Sequence, residues 1–285
     1  MSTKNIHNIS PHAYKTPPKD INFHFIINQV KYIEGLLANN KLAYDDDVVA
    51  TINLLARYYR NYKGMNKPAA EDIIYEFISG IYDTPWLCLE IMKACSANPL
   101  TGGQAYKALR NVDGVWITQK EIETIQQQTE EEQNLLFSIL CFAKLYDAHN
   151  KSIGRDVKHL FYVEDSVLRR AAGFKKGTKL DDLLYSLHSK GLMDFIDNHD
   201  KYGAIKPNRQ PLYSRQCCIV DDEGEPFFYV DNFDALHLTW RMILGDKKIG
   251  QCECGKYFEK NSNRQKKCKK CNPKVAKSVR KRKKM

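Results

Sequence analysis

Four cysteines near the end of the chain constrain its fold more than any other feature. Cys252 and Cys254 form one close pair, Cys268 and Cys271 form a second, and 13 residues separate the two pairs. Four thiolates complete the tetrahedral shell that Zn²⁺ prefers, and a short loop brings two close pairs together. Gly255 follows the first pair, and glycine suits the tight turn that wraps a metal-bound sulfur. We therefore predict one structural Zn²⁺ held by these four cysteines.

The segment around these cysteines carries all of the excess positive charge. Residues 247–285 contain 16 basic and two acidic side chains, a net charge of +14, whereas the other 246 residues carry −4 and the whole chain +10. Because so few of its side chains are apolar, this segment needs a metal to supply its folding free energy. Positive charge concentrated at one end is typical of a protein that binds a polyanion, and a zinc fold argues against a merely solubilising tail. The side chains predicted to contact nucleic-acid phosphates here are Lys256, Lys260, Arg264, Lys266, Lys267, Lys269, Lys270, Lys274, Lys277, Arg280, Lys281, Arg282, Lys283 and Lys284.

The other cysteines lie among apolar neighbours and are expected to be reduced core residues. An odd total of nine, in a chain without a recognisable secretory leader, favours thiols and metal ligands over disulfides. The apolar runs are short and interrupted by charge, so we expect no membrane span and a cytoplasmic location. The expected core cysteines are Cys88, Cys95, Cys141, Cys217 and Cys218.

The first part of the chain predicts an arm followed by a helical domain. Residues 1–20 are polar and proline-containing and are expected to form a flexible arm. Residues 21–110 repeat apolar positions at helical spacing. Within them one helix is expected to stop at Gly64, a second to have Pro68 near its first turn, and a third to be capped by Thr84.

Residues 115–246 are predicted to form a winged-helix-like domain. Its elements follow the order helix, helix, helix and β-hairpin, which is typical of a winged helix-turn-helix. Capping boxes are expected where Thr118 precedes Glu121 and where Thr129 precedes Glu132. The predicted helices cover about 129–148, 165–172, the stretch from Thr178 to Gly191, and a last one from Asn232 to Gly245.

The predicted strands complete this domain. The apolar runs bounded by turn residues favour strands, and the polar stretch 198–211 is expected to be the wing loop. The acidic turn at 221–224 is expected to connect the last two strands as neighbours. The predicted strands lie at 115–117, 161–163, 192–196, 212–220 and 226–230.

The helix before Gly191 has two possible roles. Its exposed basic side chains could contact phosphates and base edges. Asp181 and Asp182 lie in its first turn. Carboxylates there stabilise the helix through its dipole but repel a phosphate backbone. Base reading and a purely structural or protein-binding role therefore both stay open. The candidate nucleic-acid residues here are Lys175, Lys176, Lys179 and Lys190, with Tyr185, Ser186 and Ser189 beside them.

Little in the sequence indicates an enzyme. The stretch 173–178 lacks the spacing of a phosphate-binding loop, and no dinucleotide motif is present. A polar cluster of Asp194, Asp197, His199 and Asp200 could be imagined as the metal site of a nuclease, but a strand end followed by a polar loop explains it more simply. We predict a protein without catalytic activity, and a metal-dependent nuclease is the remaining alternative.

Several of these segments together resemble a family of uncharacterised proteins from phages, prophages and mobile elements of Gram-positive bacteria. The resemblance rests on the helix 134–146, on Lys190-Gly191-Leu192, on the terminal cysteines, and on the upstream stretches 54–65 and 71–77. It implies a helical N-terminal part, a winged-helix-like middle and a C-terminal zinc ribbon in a bacterial DNA-binding protein of the cytoplasm or nucleoid. The family has two residues between its first cysteines, whereas this chain has one.

The sequence thus predicts a mainly α protein with a small β component, divided into the arm, the helical domain, the winged-helix-like domain, a zinc ribbon at 247–272 and a basic tail at 273–285. The predicted function is zinc-dependent nucleic-acid binding, with DNA favoured over RNA, as a phage or mobile-element regulator or replication accessory. The alternative is a protein-interaction factor acting on host machinery, whose tail binds RNA or an acidic partner.

Overall fold

The structure, a computed structural model, is mainly helical with a small β component, as the sequence predicts. The described residues divide into two compact units: those within 29–109 belong to the first, and residues 25–28 join those within 110–271 in the second. The predicted arm, wing loop and basic tail lie outside the described residues. The structure describes residues 25–40, 48–80, 86–97, 108–175, 177–196, 214–262, 265–268 and 271.

The first unit is helical. Helix α2 (Val48–Arg57) continues directly into a π-helical turn, Tyr58–Tyr62, and the chain leaves this turn through Gly64, whose φ of +69° favours glycine. The Asn66 side chain accepts a hydrogen bond from the Ala69 backbone N–H and starts α3. The predicted cap at Thr84 lies outside the described residues. The helices are α1 (Gln29–Asn39), α2 (Val48–Arg57), α3 (Lys67–Ser79) and α4 (Trp86–Ala97), and their core includes Ile33, Ile52, Leu55, Ile74, Ile78 and Ile91.

The second unit packs around one long helix. This helix, α6 (Glu130–Ser152), buries side chains on almost every side, which is typical of a central helix. Both predicted capping boxes are confirmed, at Thr118 with Glu121 and at Thr129 with Glu132. The helices are α5 (Gln119–Gln126), α6 (Glu130–Ser152), α7 (Asp165–Ala171), α8 (Leu180–Ser189) and α9 (Leu236–Ile243), and the strands are β1 (Val115–Thr118), β2 (Leu160–Tyr162), β3 (Met193–Ile196), β4 (Ser214–Cys217), β5 (Pro226–Val230), β6 (Ile249–Gln251) and β7 (Tyr257–Glu259).

The strands form three small antiparallel sheets. β4 lies between β2 and β3, β1 pairs with β5, and β6 pairs with β7. The expected pairing of β4 with β5 across the acidic turn is therefore wrong. Both edges of β4 are occupied by other strands, so β5 hydrogen-bonds to β1 instead.

Three smaller predictions also need correction. Asn232 does not cap α9; its side chain accepts a hydrogen bond from the Asp234 backbone N–H in the turn before the helix, at 3.1 Å. Thr178 does not cap α8, because the residue before that helix is Lys179 and no side chain caps it. Cys218 is exposed, whereas Cys95, Cys141 and Cys217 are buried and Cys88 is half-buried.

A buried carboxylate ties α6 to α8. Glu132 accepts hydrogen bonds from the Thr129 backbone N–H and hydroxyl, from the Ser186 hydroxyl at 2.6 Å, and from the Lys190 ammonium at 2.7 Å. Only 4% of its side chain is exposed. Burial by itself would raise the pKa of this carboxyl, but the hydrogen bonds from Lys190, Ser186 and Thr129 outweigh burial and lower the pKa to about 2.

We expect Glu132→Gln to lower the free energy of unfolding by about 2 kcal/mol at pH 7, since the variant loses charge-assisted hydrogen bonds. The folded-state pKa is depressed, so this stabilisation is present above the unfolded-state pKa of about 4.3 and is lost as the pH falls towards about 2. Urea unfolding at pH 7 and at about pH 3 measures both effects. The exposed neighbour gives the control, Glu131→Gln; an equal loss in both variants would contradict the role of Glu132.

Candidate metal centre and basic surface

The first cysteine pair lies in the turn of the β6–β7 hairpin. The Cys252 backbone N–H donates to the Lys256 carbonyl at 2.9 Å, and the Gly255 N–H donates to the Cys252 carbonyl at 2.8 Å. Gly255 has a φ of +78°, so the positive φ expected at this residue is confirmed. The one-residue gap between the first cysteines therefore still forms a tight turn that directs both thiols to one side.

The second cysteine pair completes a compact thiol cluster. The Sγ atoms of Cys252, Cys254, Cys268 and Cys271 all lie within 4.8 Å of one another, and those of Cys254 and Cys268 are 3.8 Å apart. A tetrahedral Zn²⁺ with Zn–S bonds of about 2.3 Å places its sulfurs about 3.8 Å apart, so the donor set fits zinc. Within the described ranges no other group of three or more His, Cys, Asp or Glu side chains lies close enough to hold a metal. A shell of four protein ligands leaves no open position, which is typical of a structural site.

The backbone favours the ionised form of the first thiol. N–H groups of Cys254 and Cys268 donate to the Cys252 sulfur and lower the pKa of that thiol to about 6. Hydrogen bonding to the thiols of Cys254, Cys268 and Cys252 raises the pKa of Cys271 to about 12. Four adjacent thiols cannot all ionise without a cation, because each thiolate repels the next. A divalent metal supplies the charge that makes four thiolates stable.

The metal site has a small core of its own. Phe258 is buried beside Cys252 and Cys268. Tyr257 is only half-buried; burial raises its pKa, and the Asp231 carboxylate raises it further.

Two ion-pair networks attach the hairpin to the rest of the second unit. Asp234 binds Arg170 of α7 and, at 3.2 Å, Lys256 of the hairpin. Arg241 of α9 binds Asp246 at 2.7 Å and Glu259 of β7 at 3.3 Å. Burial would raise the pKa of Asp234, but Arg170 and Lys256 together lower it. The carboxylate is therefore held ionised between α7 and the metal site.

Some basic residues near the cysteines are engaged in ion pairs or hydrogen bonds within the chain, and others are exposed to a ligand. Lys256 pairs with Asp234, Lys267 pairs with Glu253 at 2.9 Å, and the Lys260 ammonium donates to the Lys247 carbonyl at 3.2 Å. Lys266 is exposed. The remaining predicted residues of this group, Arg264, Lys269, Lys270, Lys274, Lys277, Arg280, Lys281, Arg282, Lys283 and Lys284, lie outside the described residues.

Two exposed lysines were missing from the predicted set. Lys247 and Lys248 lie in the turn between α9 and β6 and are exposed. Both lysines belong to the basic segment 247–285. The net charge of that segment was therefore a sufficient signal for including them in the predicted set. With Lys266, they form what we call the lysine surface.

The candidate residues of α8 are mostly engaged or flanked by carboxylates. Lys190 and Ser186 both bind Glu132, and Lys179 lies 3.5 Å from Asp182. Lys175 is exposed, and Lys176 lies outside the described residues. The most exposed large side chain of the helix is Tyr185, 66% exposed. The accessible face of α8 is therefore aromatic and acidic rather than basic.

Comparison with known proteins gives no relative: no protein-family model, curated protein or solved structure matches the chain. Across the described ranges, every helix is too short or too polar to cross a membrane. The function is therefore inferred from the chemistry of the residues themselves.

Proposed function

We propose that this chain is a zinc-containing nucleic-acid-binding protein that prefers DNA to RNA and binds phosphates through its C-terminal hairpin and tail. The observation that carries the proposal is the cluster of four thiols inside a segment of net charge +14. The metal would fix the β6–β7 hairpin, which the residues of the lysine surface flank on both sides. Lysine contacts to phosphates release counterions, so they supply affinity without specifying a base sequence.

We further propose that the segment from α6 to β4 is a winged helix-turn-helix. Its support is the element order α6, β2, α7, α8, β3 and β4, together with the strand order β2-β4-β3. In this arrangement α8 takes the place of the recognition helix, and residues 197–213 connect β3 to β4 in the place of the wing.

A second function, docking of a protein partner, is favoured by the surface of α8. Asp181, Asp182 and Tyr185 are exposed on it, and Lys190 is paired with Glu132. Carboxylates on this face would repel a phosphate backbone, so the hairpin rather than α8 would supply the nucleic-acid affinity. A regulator or replication accessory of a mobile element would combine both activities without a catalytic step.

The test neutralises the lysine surface without touching the cysteines. We expect Lys247→Gln, Lys248→Gln and Lys266→Gln together to weaken binding of duplex DNA at least about 20-fold at low salt and to reduce the slope of log K against log salt by up to about 2.7. Fluorescence anisotropy over a salt series measures both quantities, and zinc content should not change.

The matched control neutralises three exposed lysines upstream of the hairpin, Lys93, Lys120 and Lys151, and should leave the slope within error of the parent protein. Equal slopes for the two triple variants would refute the lysine surface. A full chain that binds neither duplex DNA nor structured RNA at low salt would overturn nucleic-acid binding and leave protein docking. Tighter binding of structured RNA would replace DNA with RNA as the ligand.

A further inference from the structure

Three large aromatic side chains share the outer face of the β1–β5 pair. Trp116 and Tyr229 are cross-strand partners whose ring centroids lie 4.9 Å apart, and Phe227 precedes Tyr229 by two residues on the same face. Their exposed fractions are 51%, 37% and 58%, whereas Ile117 and Val230, on the opposite face, are buried. Exposed aromatic clusters of this kind mark interaction surfaces.

Carboxylates surround these rings. Glu225 and Asp231 are exposed and flank β5 at its two ends, next to the segment that carries Phe227 and Tyr229. Glu223, in the turn before β5, is also exposed. In the described part of the chain neither Glu223 nor Glu225 has an ion-pair partner. We call the set Trp116, Phe227, Tyr229, Glu223, Glu225 and Asp231 the acidic aromatic face.

The chemistry of this face fits a cationic peptide. Carboxylates at both ends disfavour a phosphate backbone, so stacked nucleotide bases are a poor match. Lysine ammonium and arginine guanidinium groups can pair with the carboxylates and lie over the Trp116 and Tyr229 rings. The aliphatic parts of these side chains can cover apolar surface. The acidic face of α8 is a weaker candidate, because Asp182 already lies near Lys179 and Asp194 lies near His188.

A segment of this composition begins close by. Residues 272–285 contain seven Lys and Arg and no acidic residue. The Asn232 side-chain amide donates to the Gly255 carbonyl at 3.4 Å, and the thiol of Cys254 lies within 4.8 Å of that of Cys271. Along this path Cys271 lies no more than roughly 30 Å from Tyr229, and 14 extended residues span up to about 45 Å. The basic tail can therefore reach Asp231, Tyr229 and the neighbouring rings of Trp116 and Phe227.

We propose that the acidic aromatic face is a docking site for residues 272–285 of the same chain. The docked tail shields the rings, and its cations are occupied by carboxylates. Nucleic acid and the face then compete for the same cations, and this consequence, unlike the docking itself, rests on the proposed function. Docking of the tail therefore lowers the affinity for nucleic-acid phosphates relative to a chain whose tail is free.

Carbodiimide cross-linking of the full chain in the absence of nucleic acid tests the docking. We expect amide links from tail lysines to Glu223, Glu225 or Asp231 in monomeric protein, at yields independent of protein concentration. Mass spectrometry of the monomer band identifies them. Glu130 and Glu131, equally accessible carboxylates at the start of α6, give the reference yield, which should be several-fold lower.

A variant of the chain removes one ring of the acidic aromatic face but keeps its carboxylates. Phe227→Ser should reduce the tail links several-fold, whereas Leu89→Ser, at an equally exposed apolar residue of α4, should leave them unchanged. Links spread evenly over all exposed carboxylates, or an unchanged yield in Phe227→Ser, would overturn the proposal. Links found only in covalent dimers would assign the face to a second copy and overturn docking within one chain.

The consequence for binding is tested separately. Glu223→Gln, Glu225→Gln and Asp231→Asn together should strengthen binding of duplex DNA about 10-fold, and Glu130→Gln with Glu131→Gln should have a smaller effect. Because cross-linking uses no nucleic acid, a failure of nucleic-acid binding would leave the docking result intact. Equal gains in both variants would show general charge removal and would refute competition by the docked tail.

Discussion

Cys252→Ser is expected to abolish zinc binding and to unfold the β6–β7 hairpin while leaving the helices folded. Cys252 is buried in the thiol cluster and is the thiol whose ionised form two backbone N–H groups favour. Binding of a structural zinc contributes about 10–16 kcal/mol to small modules of this kind, far more than the hairpin's own small core can replace. The zinc content should fall from one ion per chain to less than about one tenth.

Colorimetric zinc release and far-ultraviolet circular dichroism measure these two effects. Cys218→Ser is the matched control, since Cys218 is an exposed thiol outside the cluster and its loss should change neither zinc content nor helicity. Removal of zinc from the parent protein with a chelator should reproduce the Cys252→Ser result. A variant that keeps stoichiometric zinc, or a parent protein purified without any, would refute the metal centre.

Deletion of residues 247–285 is expected to weaken binding of duplex DNA more than about 1,000-fold at low salt, because 16 cations are removed and the remaining chain carries a net charge of −4. This loss exceeds that of the three-lysine variant, since the deletion removes the tail as well as the hairpin. Anisotropy titration measures the affinity, and circular dichroism checks that the helices persist.

The deletion separates the two parts of the proposed function. If affinity survives it, α8 or another surface upstream of residue 247 binds the nucleic acid, and the C-terminal module has another role. If affinity is lost but a protein partner still binds the shortened chain, the winged-helix-like segment docks that partner independently of DNA.

The features that the sequence predicts well are local ones. The capping box at Thr118 depends on residues three positions apart, and the turn at Gly255 depends on a single conformational preference. Spacing along the chain is enough to predict such features, because the interacting groups are near neighbours. The grouping of the four cysteines also follows from two short gaps and one loop.

The features that the sequence does not predict are non-local. The choice of β1 rather than β4 as the partner of β5 depends on which strand edges other elements leave free. The hydrogen bond between the Lys190 ammonium and the Glu132 carboxylate joins residues 58 positions apart, and no spacing rule links them. The acidic aromatic face likewise arises only when β1 and β5 pair, because Trp116 and Tyr229 are far apart in the sequence.

The attachment of the metal hairpin at Asp234 and Arg241 affects the thermodynamics of binding. A lysine on a loose chain loses much of its conformational freedom when it meets a phosphate, and that loss opposes association. The lysines of the lysine surface flank a hairpin that is already attached to α7 and α9 by carboxylate–guanidinium and carboxylate–ammonium pairs. The backbone that carries these lysines therefore loses less conformational entropy on binding. Each lysine contributes more net affinity than the same residue would on an untethered segment.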